Sequence, residues 1–418
     1  MNQTLVAGID PHRKKNVLQL MDSQGQELGP PLRVDNNQPG TVALVEQVVE
    51  QIRQGGYERL QLASEATGWY WFHLFQSLSQ DPLLNQWPVE LYLFNPRVTA
   101  KFKQSYGDQD KTDPLDAFVV ADRLRFGRDL PVPFRPDDTY LPLRLLTRYY
   151  FHLSHSLARE KSYALAILYL KASDYTHPDK QPFANVFGAA SQAVLQEFAS
   201  IEQVAALPFD DLVEFIDVKG KRRFADPADN ARKLYQVAQD SYPLPEAFQR
   251  PVNTILSLCF KQIALLEAHQ KRLQAAIADQ LTALPHPLTT IPGIGPVFAA
   301  GLIAEIGPLD RFNFDQAKVA KFAGLVWRKS SSADFQAEDT PLIHHCNRYL
   351  RYYFCEAANA VRMRDAAYAA YYDRKFHEVR KHQHKRAIVL TARKLVRLVV
   401  RLLTTNQPYQ PGGVNGLS

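Results

Sequence analysis

The stretch Leu5-Val6-Ala7-Gly8-Ile9-Asp10-Pro11-His12 decides the fold of the N-terminal third of the chain. A short apolar run that ends at a carboxylate is the pattern of a buried strand whose carboxyl end reaches the edge of a sheet. A second strand is predicted at Asn16–Asp22 and a third near Gln26–Val34. The apolar residues of Gly40–Arg53 then repeat at helical spacing, so a helix follows the three strands.

The prediction extends through the next eighty residues as alternating strands and helices. Strands are predicted at Leu60–Ser64 and Val89–Phe94, with a helix through Trp71–Leu78 between them. After Asn95-Pro96, two helices are expected to run as far as Arg128. Three strands followed by helix, strand, helix, strand and helix is the order of a ribonuclease-H-like (RuvC-like) α/β fold, although many α/β domains share parts of it.

Helices are expected to dominate the rest of the chain. Three prolines within 131–136 indicate a linker. Beyond it, apolar residues keep heptad spacing from Leu146 to Ile167 and again from Val252 to Ile277. This pattern predicts an antiparallel coiled coil, or a long helical hairpin that also dimerises, with a plain helical bundle as the alternative. The expected divisions are an α/β domain at 1–132, a helical coiled-coil region at 138–288, a mostly helical domain at 289–406 and a flexible tail at 407–418.

The overall composition is that of an ordinary globular protein. The 418 residues are 46% hydrophobic and 22% charged, and no apolar run reaches the roughly 18 residues of a membrane span. The start of the chain lacks the charge pattern of a secretory signal. Three cysteines without a CxxC spacing exclude a disulfide framework and a four-cysteine zinc site, and they fit a reducing cytoplasm.

Positive charge is concentrated near the C-terminus. Between His344 and Arg401 there are 14 Lys and Arg against 4 Asp and Glu, a local charge of +10, whereas the whole chain carries +6. On the last predicted helix, an apolar stripe from Ile388 to Leu402 lies opposite a basic face. A basic face interleaved with tyrosines favours a nucleic acid as partner. A membrane surface and a solvated face without a partner are the alternatives.

Four carboxylates are candidates for a metal centre. Asp10 and Glu65 each follow a predicted strand, and Asp113 and Asp116 project from one face of a predicted helix. A solvated turn is the structural alternative for Asp10, and a helix N-cap is the alternative for Asp113. Mg²⁺ prefers oxygen ligands. Two such ions about 4 Å apart can activate an attacking oxygen and stabilise the leaving oxygen of a phosphodiester.

Two further motifs lie in the last third of the chain. Ile291-Pro292-Gly293-Ile294-Gly295-Pro296 before an apolar helix is typical of a helix-hairpin-helix, whose backbone N–H groups and helix N-terminus bind phosphate. A simple turn is the alternative. The segment Trp327-Arg328-Lys329-Ser330-Ser331-Ser332-Ala333 carries a serine triplet without a nucleophile elbow. From composition alone it is a polar loop.

Taken together, these residues resemble the insertion-sequence transposases that join an N-terminal RuvC-like DEDD domain to a C-terminal serine-bearing transposase domain, also described as bridge-RNA-guided or seek-RNA-guided recombinases. The resemblance covers nearly the whole chain. Its most specific parts are Glu65-Ala66-Thr67-Gly68, Asn95-Pro96, Lys111-Thr112-Asp113 with Asp116-Ala117, Ile291–Gly295, Gly324-Leu325 with Trp327, Asn347-Arg348-Tyr349-Leu350-Arg351, and His384-Lys385-Arg386-Ala387.

The resemblance implies a DNA transposase whose DEDD metal ligands are Asp10, Glu65, Asp113 and Asp116, with Mg²⁺ as cofactor and Ser332 as nucleophile. Two departures from the family pattern are Ala333 in place of Gly and His344-His345-Cys346 in place of a Lys-x-Gly. The expected partners are DNA, a noncoding guide RNA and a second copy or tetramer of the chain, in the bacterial cytoplasm at the nucleoid. The expected nucleic-acid-binding residues are Gly293, Gly295, Arg348, Arg351, Lys385, Arg386, Arg393, Lys394, Arg397 and Arg401.

Three other functions are compatible with parts of the sequence. A RuvC-like junction nuclease would use water as nucleophile and leave Ser332 structural. An actin/hexokinase-like kinase could use Gly8-Ile9-Asp10 as a phosphate loop, but no second glycine-rich nucleotide loop is present and the basic C-terminus stays unexplained. A non-catalytic nucleic-acid-binding protein would make the four carboxylates dispensable.

Overall fold

A computed structural model describes residues 3–107, 112–327 and 342–411, together with the backbone of two short strands at 331–332 and 335–336. The chain divides into two compact units, at 1–138 and 139–418. Lys111, Ala333 and the end of the predicted tail lie outside the described residues. Within the described ranges, no helix combines the length and the apolarity that crossing a membrane requires.

The first unit is an α/β domain built on one five-stranded sheet. Its elements are, in chain order, β1 (Thr4–Pro11), β2 (Lys15–Met21), β3 (Leu32–Asp35), α1 (Gln38–Gly55), β4 (Arg59–Glu65), α2 (Phe72–Gln80), β5 (Val89–Phe94), α3 (Pro96–Lys103) and α4 (Asp113–Phe126). The strand order is β3-β2-β1-β4-β5. The β1–β2 and β2–β3 pairs are antiparallel, and the β1–β4 and β4–β5 pairs are parallel. The predicted order of strands and helices is therefore observed.

Alternate residues of β1 enter two different cores because successive side chains of a strand point to opposite faces. Leu5, Ala7 and Ile9 are buried in a cluster with residues of α1 and α2. Val6 joins a smaller cluster with residues of α4 on the other face. The sheet is thus covered by helices on both faces, which leaves the ends of its strands as the accessible edges.

The second unit is almost entirely helical. Its elements are α5 (Leu141–Lys171), α6 (Ala189–Glu197), α7 (Glu202–Ala205), α8 (Phe209–Lys219), α9 (Pro227–Asp240), α10 (Glu246–Thr282), α11 (Pro296–Ile306), α12 (Gln316–Phe322), β6 (Ser331–Ser332), β7 (Phe335–Gln336), α13 (Arg348–Arg362), α14 (Ala366–His377) and α15 (Gln383–Thr405). The two helices with heptad spacing, α5 and α10, pack against each other. Their direction is antiparallel, since the Gln270 amide donates to the Ser154 hydroxyl (2.9 Å) while the Lys171 ammonium donates to the Asn253 amide oxygen near the other end (2.5 Å).

Two large hydrophobic clusters, with a smaller one between α5 and α10, organise the described part of this helical unit. One contains the end of α5, the start of α10 and the short helices between them. The other contains the end of α10 with α11, α12, α13 and α15. Both clusters lie within one compact unit, and the separate divisions expected at 138–288 and 289–406 stay a prediction.

Candidate active site and nucleic-acid interface

Asp10 and Glu65 lie at the carboxyl edge of the sheet on neighbouring parallel strands. Ile9 of β1 pairs with Ser64 of β4, so the residue after each of them reaches the same edge. The Asp10 side chain is only 14% exposed, which excludes the solvated-turn alternative. The strand register thus places Asp10 and Glu65 at the same edge of the sheet. Their positions directly after apolar runs predict this placement.

Helix α4 brings two more carboxylates to this edge because it packs directly on β1. A Cβ atom on Gly8 would lie 2.2 Å from the Ala117 carbonyl oxygen and 2.3 Å from the Ala121 nitrogen, so only glycine permits this approach. The helix begins at Asp113 with Thr112 at the N-cap position. The alternative in which Asp113 caps the helix is therefore wrong, and its carboxylate is available for another role.

The structure brings Asp10, His12 and Asp113 together. The His12 Nε2 atom lies 2.9 Å from Asp10 Oδ2 and 3.4 Å from Asp113 Oδ1. One ligand atom from each of these residues lies within 4.8 Å of the other two. Sequence reasoning missed His12, although it stands two residues after Asp10 in the stretch that decides the fold.

Negative charge accumulates around Asp10. Burial raises the pKa of the Asp10 carboxyl, the nearby His12 lowers it, and the charges of Asp116 and Asp113 raise it further. Asp116 therefore lies within electrostatic range of Asp10 although it is outside the compact group. A cation placed among these carboxylates would offset their repulsion, so the donor set fits a divalent ion bound by oxygen.

Glu65 and Asp116 are held by two residues of α3 and by Thr67 of the loop after β4. The Thr99 hydroxyl donates to Glu65 Oε1, and the Thr67 hydroxyl donates to Glu65 Oε2 at 3.3 Å. The Lys103 ammonium donates to Asp116 Oδ1 at 2.5 Å. Asp10 and Asp113 thus form the compact part of the predicted four-carboxylate set, whereas Glu65 and Asp116 are positioned beside it by hydrogen bonds.

The serine-bearing segment of the second unit is held at its base. Trp327 forms a β-bridge with Leu342, and the Ile343 N–H donates to the Val326 carbonyl at 3.1 Å. Ser332 lies between these points on β6, whose backbone pairs with Phe335 of β7. Its side chain is outside the described residues. The segment that carries Ser332 is therefore anchored where it leaves and rejoins the helical unit.

Arg351 joins the two ends of the same segment. Its guanidinium donates to the carbonyl oxygens of Ala323 (3.3 Å), Gly324 (2.9 Å) and Ile343 (2.6 Å). The sequence predicts Arg351 as a phosphate-binding residue, but in the structure three backbone acceptors occupy it. Its observed role is to clamp the residues before and after the serine segment.

An ion pair whose carboxylate is buried supports the start of α13, which carries Arg351. Glu305 is 1% exposed and accepts two hydrogen bonds from the Arg148 guanidinium, at 2.6 and 3.0 Å. It also accepts one from the Asn347 amide at 2.6 Å. The Asn347 side-chain oxygen in turn caps α13 by accepting from the N–H groups of Tyr349 and Leu350. The pair thus connects α5, α11 and α13.

The two glycines predicted to bind phosphate differ in their surroundings. Gly293 has φ +96°, and a Cβ there would lie 2.6 Å from the Ala360 carbonyl oxygen of α13. Packing of the turn against α13 therefore accounts for this glycine. Gly295 precedes α11, and a Cβ there would meet open space. Only Gly295 leaves room for a ligand near the helix start.

The basic residues of α13 and α15 that are predicted to bind nucleic acid also divide into two groups, apart from Arg351. Arg386 donates to Glu378, Arg393 donates to the Gln316 carbonyl at 3.2 Å, and Lys394 lies 4.7 Å from the Tyr368 ring. These three are partly buried, whereas Lys385, Arg397 and Arg401 are exposed, as is Arg348 at the start of α13. The exposed group presents positive charge directly to solvent, and phosphate contact stays a prediction for both groups.

Comparisons with known proteins match two parts of the chain to transposase families. Residues 7–170 match the IS110-type DEDD transposase family, and residues 286–373 match the transposase family described as IS116/IS110/IS902. The 44.8 kDa protein of insertion element IS116 from Streptomyces clavuligerus is 24% identical over 327 residues, 75% of this chain and 76% of the relative. The 42 kDa protein of insertion element IS900 from Mycobacterium paratuberculosis is 23% identical over 321 residues, 73% and 75% of the two chains.

The acidic edge of the α/β unit and these matches define the chain as a DNA transposase. More particularly, it is an IS110/IS116-family transposase with a DEDD-type N-terminal part and a C-terminal part of the IS116/IS110/IS902 type. A DEDD-type domain suggests the use of a divalent metal, for which Asp10, His12 and Asp113 form a candidate group.

Proposed function

We propose that this transposase cuts and rejoins the DNA of an insertion sequence through a covalent phosphoserine intermediate. Its DEDD centre would consist of Asp10, Glu65, Asp113 and Asp116 on a ribonuclease-H-like domain, and Ser332 would be the nucleophile. The observation that carries the proposal is the approach of Asp113 to Asp10 at the carboxyl edge of the sheet, bridged by His12. Carboxylates this close together repel each other, and a bound cation would offset that repulsion.

The carboxylates would hold Mg²⁺, which stabilises charge that develops on phosphate oxygens. Asp10 and Asp113 are the best-placed ligands, and Glu65 lies on the neighbouring strand. Thr99 and Lys103 orient Glu65 and Asp116 through the hydrogen bonds described above. His12 contacts two of these carboxylates, so it is suited to orient them or to exchange a proton with a DNA oxygen.

The serine chemistry exchanges one phosphodiester for another. The Ser332 oxygen forms a bond to the scissile phosphorus as its hydroxyl proton departs, and the bond from phosphorus to one DNA oxygen breaks. That oxygen takes up a proton and leaves as a hydroxyl group. After strand exchange, a hydroxyl of another DNA end attacks the phosphoserine and releases Ser332. The number of phosphodiester bonds is conserved, so rejoining requires no external energy source.

We also propose that a noncoding RNA guides the choice of DNA target and that the chain works as a dimer or tetramer in the bacterial cytoplasm. The family resemblance and the exposed basic residues Arg348, Lys385 and Arg397 support RNA and DNA binding. Base pairing would supply sequence specificity, while the protein binds backbone phosphates. Sequencing of RNA that copurifies with the protein tests this part, and recovery of only random cellular RNA would contradict it.

The decisive experiment compares three serine variants of one segment. Ser332→Ala should give no joined DNA product, whereas Ser330→Ala and Ser331→Ala should stay close to wild type. A stalled wild-type reaction should contain a denaturant-resistant protein–DNA adduct, and peptide mapping should place it on Ser332. An adduct on another residue would show that the assignment of the nucleophile is wrong.

The same experiment tests the alternative function, a RuvC-like metal-dependent junction nuclease without a serine intermediate. The observation that favours it is the acidic edge itself, which is sufficient for hydrolysis by a metal-activated water. In that case Ser332→Ala would cleave DNA at a near-normal rate and no adduct would form. Loss of cleavage in Asp113→Asn is expected for both functions, so only the serine variant separates them.

A further inference from the structure

A groove of about 520 Å³ lies beside the carboxylate edge of the first unit. It is lined by residues from the β1–β2 turn, the loop before α1, the loop after β4 and helix α2, among them Arg13, Asn36, Trp69, Tyr70, His73 and Gln76. Arg13 follows His12 directly in the chain, and Trp69 stands four residues after Glu65. The groove is therefore built from the same loops that follow the candidate metal ligands.

One wall of the groove offers aromatic surface to solvent. Trp69 is 45% exposed and Tyr70 is 44% exposed. Trp69 lies against the buried Trp71, with ring centroids 6.2 Å apart and an interplanar angle of 23°. Its indole is therefore supported on one side, and such a preorganised flat surface is suited to stacking with a planar ligand.

The groove also contains a polar atom that lacks a partner. Gln76 Oε1 is buried and has no hydrogen-bond partner among the described residues. A buried acceptor without a donor is rare in folded proteins and points to a ligand group or a water molecule that completes it. None of the described residues that line the groove is acidic, and Arg13 adds a positive charge. The groove therefore combines an aromatic wall, an unused acceptor and a site for an anion.

The groove and the acidic edge are held in a fixed relation by Asn36. Its side-chain amide donates to the His12 carbonyl at 2.8 Å and to the Tyr70 carbonyl at 3.1 Å. The turn that carries His12 and the loop that carries the aromatic wall are thus tied by one side chain. A ligand that occupies the groove lies at a defined position relative to Asp10 and Asp113.

We propose that this groove binds one unpaired base of the DNA strand that is cut at the carboxylate edge. Trp69 and Tyr70 stack on the base, Arg13 contacts a neighbouring phosphate, and the Gln76 side chain turns towards the groove so that its Oε1 atom accepts a hydrogen bond from an amino or imino N–H of the base. The proposal rests on the proposed function only in locating the cut at the carboxylates. Binding itself depends neither on Ser332 nor on the metal ion.

The test is photocross-linking with a single-stranded oligodeoxynucleotide of about 12 nucleotides that carries one 5-iodouracil. The wild-type protein is irradiated with the probe in the presence of a metal chelator, so that no cleavage competes with binding. We expect peptide mapping to find the cross-link on Trp69 or Tyr70. A fully paired duplex probe should give much less product, because its bases are not free to enter the groove.

Variants make the result specific. Trp69→Ala and Tyr70→Ala should each weaken probe binding about tenfold, in line with the loss of one base–aromatic contact. Phe126→Ala is the matched control, since Phe126 is 58% exposed in the same unit but does not line the groove. Gln76→Met, which removes the acceptor at similar size, should reduce the differences in affinity between probes that present different bases.

Three results would overturn the proposal: cross-links elsewhere in the chain, equal weakening by Phe126→Ala, or cross-linking of an RNA probe of the same sequence in preference to DNA. The test remains separate from the proposed serine mechanism. If Ser332→Ala retains full activity, the serine mechanism fails while cross-linking to Trp69 continues to support the groove. If Ser332 carries the adduct but Trp69 gives no cross-link, only the groove proposal fails.

Discussion

The carboxylate group of the first unit and the serine segment of the second unit are positioned in different ways. In the first unit, Asp10 and Glu65 extend from paired strands, and Asp113 comes from a helix that packs on β1 through Gly8. In the second unit, a short backbone pairing of residues 326–327 with 342–343 closes the base of the segment that carries Ser332, and Arg351 donates to backbone carbonyls on both sides of it. Strand register and helix packing position the carboxylates, whereas the serine segment depends on a short backbone pairing, on the Arg351 guanidinium and on the ion pair under α13.

This difference indicates where each part is vulnerable. A carboxylate at the end of a buried strand keeps its place unless the sheet is disrupted, so a variant there should change chemistry alone. The serine segment depends on side-chain hydrogen bonds, each of which a single substitution can remove. Variants in the clamp should therefore affect catalysis without touching any reacting atom.

The largest effect is expected at Asp113. Asp113→Asn keeps the size of the side chain but removes a charge from the compact group around Asp10. Metal-dependent strand cleavage should fall at least about a thousandfold, because several kcal/mol of charge stabilisation is lost. Asp35→Asn is the control, since Asp35 is an exposed carboxylate of the same unit outside the group. Cleavage assays at equal protein concentration would refute the assignment if both variants retained activity.

The second effect concerns the ion pair under α13. Arg148→Met leaves Glu305 buried without its main partner and should lower the free energy of opening of α11 and α13 by about 3 kcal/mol. Hydrogen exchange measures this loss segment by segment, and amides of β1 and β4 serve as the internal control. Adding Glu305→Gln should recover part of the protection, since the uncompensated charge is removed. No recovery would mean that packing rather than charge accounts for the change.

A smaller effect is expected from two conservative changes on the same helix. Arg351→Lys keeps the charge but loses the fork that reaches three carbonyls, so formation of the serine–DNA adduct should fall about 10- to 100-fold. Arg348→Lys, at an exposed arginine three residues earlier, should change it less than threefold. DNA affinity, measured by filter binding, should stay within twofold for both variants. A large loss of affinity in Arg351→Lys would restore the predicted role in phosphate binding.

Sequence patterns predicted the features of this fold that depend on local periodicity. Burial of β1 follows from an apolar run, and the pairing of α5 with α10 follows from two heptad patterns. The position of Asp10 and Glu65 at the edge of the sheet was predictable because strand ends are visible in the sequence. These signals repeat over several residues, so each element is specified many times over.

The remaining features depend on contacts between distant residues and leave little trace in sequence. His12 contacts Asp10 locally but reaches Asp113 only because α4 lies on β1, and nothing local in the sequence distinguishes it from a surface histidine. In the sequence, Arg351 is indistinguishable from a phosphate-binding arginine. Its actual acceptors are backbone carbonyls, such as that of Gly324, and every residue has one, so the sequence does not reveal the contact. Gly293 looks like a phosphate-binding glycine, yet its neighbour is the backbone of Ala360.

The smallest effect is expected for two arginines on α15. It tests whether an arginine contributes to nucleic-acid binding only when its side chain is exposed. Arg397 is exposed, whereas Arg393 is partly buried and donates to the Gln316 carbonyl. Burial, and then the charge of Arg397, lowers the pKa of the Arg393 guanidinium. A phosphate contact made by either residue contributes roughly one unit to the slope of log affinity against log salt.

We therefore expect Arg397→Glu to reduce that slope by about one unit and Arg393→Glu to change it by less than half as much. Lys271→Glu with Arg272→Glu is the control, because these exposed residues lie on α10, away from α15. The measurement is DNA binding between low and moderate salt. If Arg393→Glu and Arg397→Glu change the slope equally, α15 must reorganise to release Arg393 from Gln316 on binding. If neither changes it, the basic face of α15 is a solvated surface, and the phosphate contacts of this unit lie elsewhere, with Arg348 of α13 as the next residue to test.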